Sequence, residues 1–167
     1  MVDKRLALGC QTGAVSELKD RLRADLTTSM KSRDKLRSST IRMLLSAITN
    51  AEVAGKEHRE LSDDDVVGVL STEGKRRRES AVAFEDAGRA DSAAKERAEA
   101  DIITEYLPDQ LDQAAIAALV AETITRTGAG QDGLRAMGKV MGSLSAQVKG
   151  RADGAVVAAE VRRQLGA

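Results

Sequence analysis

Tryptophan is absent from this 167-residue chain, and Phe84 and Tyr106 are its only aromatic residues. A core must therefore be assembled from Leu, Ile, Val, Met and Ala, which favours packed helices over a β-sandwich. The single cysteine, Cys10, excludes an intrachain disulfide and any multi-cysteine metal site. His58 is the sole histidine. It stands beside Glu57 and Arg59 in a polar stretch, which suits an exposed loop better than the preorganised centre of a Ser/His/Asp triad. No apolar run approaches the roughly 20 residues that span a bilayer, and Met1 to Val15 lacks the long apolar segment of a secretory signal. A cytoplasmic protein with no membrane contact is expected. Net charge is missing as well, because 26 basic and 26 acidic side chains cancel. From Gln113 to the end, seven Lys/Arg stand against four Asp/Glu, a surplus that a soluble surface would also show.

What is present is helical periodicity, and the expected fold is all-α. Residues 1–14 read as a flexible leader. Residues 15–107 form a four-helix N-terminal domain. Its first helix carries Val15, Leu18, Leu22, Leu26 and Met30 and is capped by Ser16; the Ser32-Arg33-Asp34 corner breaks it. A second, largely apolar helix follows through Leu36, Ile41, Leu44 and Ile48. Ser62 and three aspartates open a third, running toward Gly88, and Asp91 or Ser92 starts a fourth. The fourth is rich in Ala and in pairs such as Lys95 with Glu99 and Arg97 with Asp101, the pattern of a solvent-facing helix or a bridge. The only proline, Pro108, marks a linker at 108–111. Residues 112–167 then make a small three-helix domain whose helices open at Asp112, Asp132 and Asp153.

Two polar features interrupt the apolar stripes. In the third helix Glu73, Gly74, Arg77 and Ser80 lie where the stripe would continue, and a Glu73–Arg77 pair one turn apart is a sufficient explanation. The adjoining Lys75-Arg76-Arg77-Arg78 run reads as solvated or as a phosphate contact. In the second helix Ser38, Ser39, Arg42, Ser46, Thr49 and Asn50 share a narrow polar sector. Arg42 is expected to reach an acidic residue of a neighbouring helix. The functional alternative joins Arg42 to the basic corner at Lys31, Arg33, Lys35 and Arg37, so that Arg37, Arg42, Asn50, Lys75 and Arg77 constitute a secondary basic and polar groove.

The most informative stretch is Met137 to Gly154. Leu134, Met137, Met141, Leu144 and Val148 align as an apolar stripe, with Lys139 off it. Gly138 and Gly142 sit four apart on one face. Each costs about 1 kcal/mol relative to Ala inside a helix, so a close approach to the backbone is expected there. Gly150 can stop the helix, Asp153 can cap the next, and Lys149 and Arg151 project between them. The pair Gly138-Lys139-Val140-Met141-Gly142 and Lys149-Gly150-Arg151-Ala152-Asp153-Gly154 resembles the signature of the GatB/YqeY family. So do Met30 to Lys35 leading into Leu36 to Ile48, Arg78-Glu79-Ser80 with Phe84, and Tyr106 to Leu111. The family comprises small stand-alone proteins and the C-terminal tail of the B subunit of glutamine-dependent aminoacyl-tRNA amidotransferases.

The resemblance implies a noncatalytic module associated with tRNA or tRNA-like RNA. Lys139, Lys149 and Arg151 would contact phosphates, Gly138, Gly142 and Gly150 would admit a close backbone, and Asp153 would shape the last helix start. Scarce aromatics argue against base stacking. A helical protein-interaction adaptor, with a possible partner in aminoacyl-tRNA metabolism, is the alternative. Carbon–nitrogen ligase activity with glutamine as amido-N-donor is what the family name would imply, but the amidase and nucleotide-binding modules it needs lie outside the tail. No catalytic residue, cofactor or metal is expected, since no phosphate-cradling loop follows a strand and the carboxylates do not converge.

Overall fold

The computed structural model describes residues 16–55 and 57–166; the leader, Cys10 and Val15 fall outside them. Among the described residues there are seven α-helices, two short 3-10 turns and no strands. Helix α1 (Glu17–Lys31) begins at Ser16, whose Oγ accepts the Lys19 N–H at 3.1 Å. It ends in a turn where Arg33 takes the left-handed conformation, φ 60°. The Arg33 N–H donates to Met30 O and the Asp34 N–H to Ser29 O at 2.9 Å, the paired closure that ordinarily uses glycine. Asp34 then caps α2 (Lys35–Val53), accepting the Arg37 N–H at 2.9 Å, so one corner ends a helix and starts the next.

Helix α3 (Asp63–Asp86) opens on a capping box in which Ser62 and Asp65 satisfy each other's backbone N–H. Its far end repeats the closure of α1, with Gly88 at φ 70° in the place Arg33 occupies. Helix α4 (Ala90–Thr104) starts earlier than the sequence suggests, at Arg89, and without a side-chain cap. Nor is it a solvated bridge. Small side chains let it lie along α3, where Ala93, Ala100 and Ile103 are buried. That packing redirects the charges: Arg77 faces α4 and bonds Glu96 at 3.2 Å and Glu99 at 3.3 Å, while Glu73 takes Arg76 at 3.2 Å. The Glu73–Arg77 pair does not form, because two carboxylates on the neighbouring helix reach Arg77. Arg97 pairs with Glu85 rather than Asp101.

The buried apolar side chains fall into two clusters that share no residue. Leu22, Ile41, Leu44, Ile48, Leu61, Val66, Leu70, Ile103 and Tyr106 form one. Each fully buried Leu or Ile contributes about 1.5–3 kcal/mol. Tyr106 closes this cluster: its hydroxyl donates to Asp25 at 2.7 Å, and burial together with that carboxylate pushes the phenol up to about 12. Arg37 grips Glu105 through two bonds of 3.1 and 2.6 Å, while Arg42 stays exposed with no carboxylate of the described residues beside it. The acidic partner expected for Arg42 belongs to Arg37 instead, which is half-buried where α2 meets Glu105 and Tyr106.

Helix α5 (Gln113–Thr127), capped by Asp112, ends at Gly128 with φ 64°. The next helix does not open at Asp132. Gly133, at φ 55°, interrupts it, and the chain makes 3-10 turns at Ala129–Gln131 and Gly133–Ala136 before α6 (Met137–Val148). The buried stripe is consequently Ala136, Val140, Leu144 and Val148, with Met137 and Met141 packed beside it and Leu134 55% exposed. These residues join Ile116, Val120, Ala129 and, from α7 (Gly154–Leu165), Val157, Val161 and Leu165 in the second cluster.

Candidate functional site

The turn between α6 and α7 is held against the N-terminal helices. Gly150 stands in the left-handed region at φ 73°, and a Cβ there would collide with Val67 of α3 and press within 3.3 Å of Pro108. This is the close approach that requires glycine. Around it the 108–111 segment is strapped down rather than slack. Leu111 donates its N–H to Arg151 O at 2.7 Å, Gln110 Nε2 donates to Gly150 O at 2.7 Å, and Arg151 Nε donates to Asp109 O at 3.2 Å.

Those contacts leave a notch of about 190 Å³ along the seam. Ser71, Thr72, Lys75 and Arg78 line it from α3, Gln110 from the connecting segment, and Gly150, Asp153, Gly154 and Ala155 from the turn and the start of α7. Asp153 Oδ1 accepts the Ala155 N–H at 2.7 Å, and its carboxylate lies 3.3 Å from Lys75 Nζ. The backbone bond and, after it, Lys75 hold the Asp153 carboxyl below the usual carboxylate range despite its partial burial. The Ser71 hydroxyl is buried there and bonds no group of the described residues. Two cations, an unsatisfied hydroxyl and the positive end of α7 thus surround one built-in carboxylate. The arrangement can hold an oxyanion; it offers no nucleophile paired with a base.

The residues singled out from sequence are distributed unevenly about this notch. Gly150 and Asp153 line it, and so does Lys75. Lys149 lays its stem across α3, its Cε 3.6 Å from where a Cβ on Gly68 would sit. Arg151 is half-buried, holding Asp109. Lys139 does not line the notch; it stands near the start of α6 and donates to Thr127 O at 2.7 Å, where its charge suits the C-terminal end of α5. Gly138 and Gly142 are exposed, and nothing among the described residues lies within 4 Å of a Cβ at either, so they do not serve packing against a neighbouring helix. The secondary groove does not assemble as one surface. Arg77 is engaged with α4, Arg37 with Glu105, and Lys75 with Asp153, while Arg42 and Asn50 remain on the exposed face of α2.

Arg78 lines the notch as a member of the run read as solvated or as a phosphate contact, whereas Ser71 and Gln110 are members that the sequence reading missed. The spacing of Ser71, Lys75 and Arg78 at four and three residues places them on one face of α3 and was the available signal. Among the described residues no group of three or more His, Cys, Asp or Glu side chains converges as a metal site, and no helix is long and apolar enough to cross a membrane.

A family model described as "Yqey-like protein" matches residues 19–165, which takes in both clusters and the seam between them. The chain belongs to the YqeY-like family. Among its relatives, the "Altered inheritance of mitochondria protein 41, mitochondrial" of Pyrenophora tritici-repentis is 29% identical over 150 residues, covering 88% of this chain and 80% of the relative. The "Uncharacterized protein C22F3.15" of Schizosaccharomyces pombe is 34% identical over 103 residues, 61% of this chain and 81% of its own. The Saccharomyces cerevisiae "Altered inheritance of mitochondria protein 41, mitochondrial" is 40% identical over 102 residues, 60% of this YqeY-like chain and 51% of the yeast protein. The alignment therefore spans about half the length of the yeast relative.

Proposed function

We propose that this YqeY-like protein is a noncatalytic RNA-associated module that receives phosphates of tRNA or a tRNA-like shape at the seam notch. The observation that carries this reading is the meeting of Lys75 and Arg78 with the Lys149–Gly154 turn and the start of α7 around a single small notch. Lys149 and Arg151 flank it and add charge. The shortage of aromatics leaves backbone and shape as the means of recognition.

Titration of labelled tRNA at several salt concentrations tests it. About three phosphate contacts give a log–log slope of roughly −2 to −3, whereas a flat salt dependence rejects the reading. Reversing Lys75 and Lys149 to Glu should weaken binding with little loss of helicity. In the same proposal the protein works in the cytoplasm, beside the machinery of aminoacyl-tRNA metabolism. Fractionation with an antibody against the full chain checks the compartment, and recovery in an organelle would move it there.

A protein-interaction adaptor is the second reading, favoured by one observation: Gly138 and Gly142 leave a strip of α6 backbone uncovered. A pull-down that survives nuclease and is lost in Gly142→Leu supports it. Glutamine-dependent amide transfer requires turnover by the purified chain with glutamine, ATP and misacylated tRNA, and none is expected.

A further inference from the structure

The whole chain is neutral, yet its charge is segregated along α1 and α2. From Leu26 to Ala51 five cations stand against one acid, Asp34. That carboxylate is committed to capping α2, and Arg37 is committed to Glu105. Lys31, Arg33, Lys35 and Arg42 project outward, and none pairs with a carboxylate of the described residues. A shallow groove of about 330 Å³ runs between Met30, Arg33, Asp34, Lys35, Ser38 and Arg42.

The rest of the outer face of α2 is polar and free of acid. Ser39, Ser46, Thr49 and Asn50 are exposed, and a second depression of about 300 Å³ lies at Leu45, Ser46, Thr49 and Asn50. The hydroxyls of Ser39, Ser46 and Thr49 donate to carbonyls one turn back, so they neither need nor repel a neighbouring anion. Lys35 and Arg42 are two turns apart on this face, about 10 Å along the axis. Placing two cations, Lys35 and Arg37, in the first turn of α2 is unfavourable against the helix dipole, and an incoming anion would reverse that cost.

We propose that the α1–α2 corner and the outer face of α2 form a second binding surface, separate from the seam, for the phosphodiester backbone of unstructured RNA. Lys31, Arg33, Lys35 and Arg42 neutralise successive phosphates, and the hydroxyl and amide groups beyond them border the strand. A membrane surface fits less well, since a helix lying in lipid headgroups needs an apolar face and Met30 is the large exposed apolar residue at this corner.

The test is equilibrium binding of labelled poly(U) to the full chain across a range of salt, with Arg135→Glu, an exposed cation before α6 that lines neither surface, as the charge control. Wild-type protein should bind with a salt-dependent affinity. Lys35→Glu/Arg42→Glu should weaken binding at least about tenfold and reduce the log–log slope by roughly 1.5 for two lost contacts. Arg135→Glu should leave poly(U) binding within about twofold of wild type, since it loses a cation but no proposed phosphate contact. Thermal melts of the variants report folding. If the double variant is unstable, Ser46→Glu decides, because it adds a carboxylate to an exposed position, and it should weaken binding severalfold.

Three outcomes overturn the proposal: no poly(U) binding by wild type, full binding by folded corner variants, or binding to phosphatidylserine vesicles but not to poly(U). Each leaves the seam to be judged by its own tRNA titration. Conversely, corner-dependent poly(U) binding together with a flat tRNA titration supports this surface and removes the seam reading.

Discussion

Of three glycines in the signature stretch, Gly150 alone is required by the geometry of the described residues. Gly150 is fixed by backbone geometry and by Val67, so Gly150→Ala should cost about 2 kcal/mol in urea unfolding, the left-handed penalty plus displacement at the seam. Gly138 and Gly142 are helical and open. Gly138→Ala should therefore raise stability by up to about 1 kcal/mol in the same measurement. All three attract equal attention in the sequence, because helix cost is visible there while the neighbour across space is not. Asp153 separates two roles that the sequence merges. Asparagine caps a helix about as well as aspartate, so Asp153→Asn should keep α7 intact while freeing Lys75 from its carboxylate. tRNA affinity should rise a few-fold on that substitution; an unchanged or lower affinity in a folded variant argues against phosphate entering the notch.

Between elements, the clearest fastening is Lys19 Nζ to Glu52 at 2.5 Å, which ties the start of α1 to the end of α2 with Glu52 buried. Lys19, then the smaller effect of the Leu61 backbone, holds the Glu52 carboxyl below its ordinary value against the opposing effect of burial. A depressed carboxyl contributes stability that is present above its unfolded value near 4.5 and lost as pH falls through the folded one. Urea midpoints should thus fall between pH 6 and acid conditions below about pH 4. Glu52→Gln should cost about 2 kcal/mol at neutral pH, by leaving Lys19 partly buried without its partner, and should flatten that acid-side decline. Helix caps were legible in sequence at Ser16, Ser62, Asp112 and Asp153 because a short polar side chain before an apolar repeat has one good use. The start of α6 was not, since Asp132 looks like a cap and only the left-handed Gly133 behind it breaks the helix. The pairing of α3 with α4 was hidden too: alanine-rich surfaces read as exposed until a partner helix covers them.

At the scale of the molecule, two separate apolar clusters meet along a polar seam strapped by Gln110, Leu111 and Arg151. Native-state hydrogen exchange should resolve two levels of protection, one for amides of α2 and α3 and another for α5 to α7; a single uniform level would mean the seam couples them fully. The all-helical class was legible from composition and periodicity, whereas the notch was not, because three whole helices, α4, α5 and α6, separate Lys75 from Gly150 in sequence. The same scale gives Arg33 its significance. Two corners of the chain close with one geometry, and one of them uses Gly88 while the other forces an arginine into the same backbone state. Replacing Arg33 by glycine would relieve the backbone while deleting a charge from the basic corner. Melting temperature and polyanion affinity should then move in opposite directions upon one substitution, which identifies a position held for its side chain at the expense of its fold.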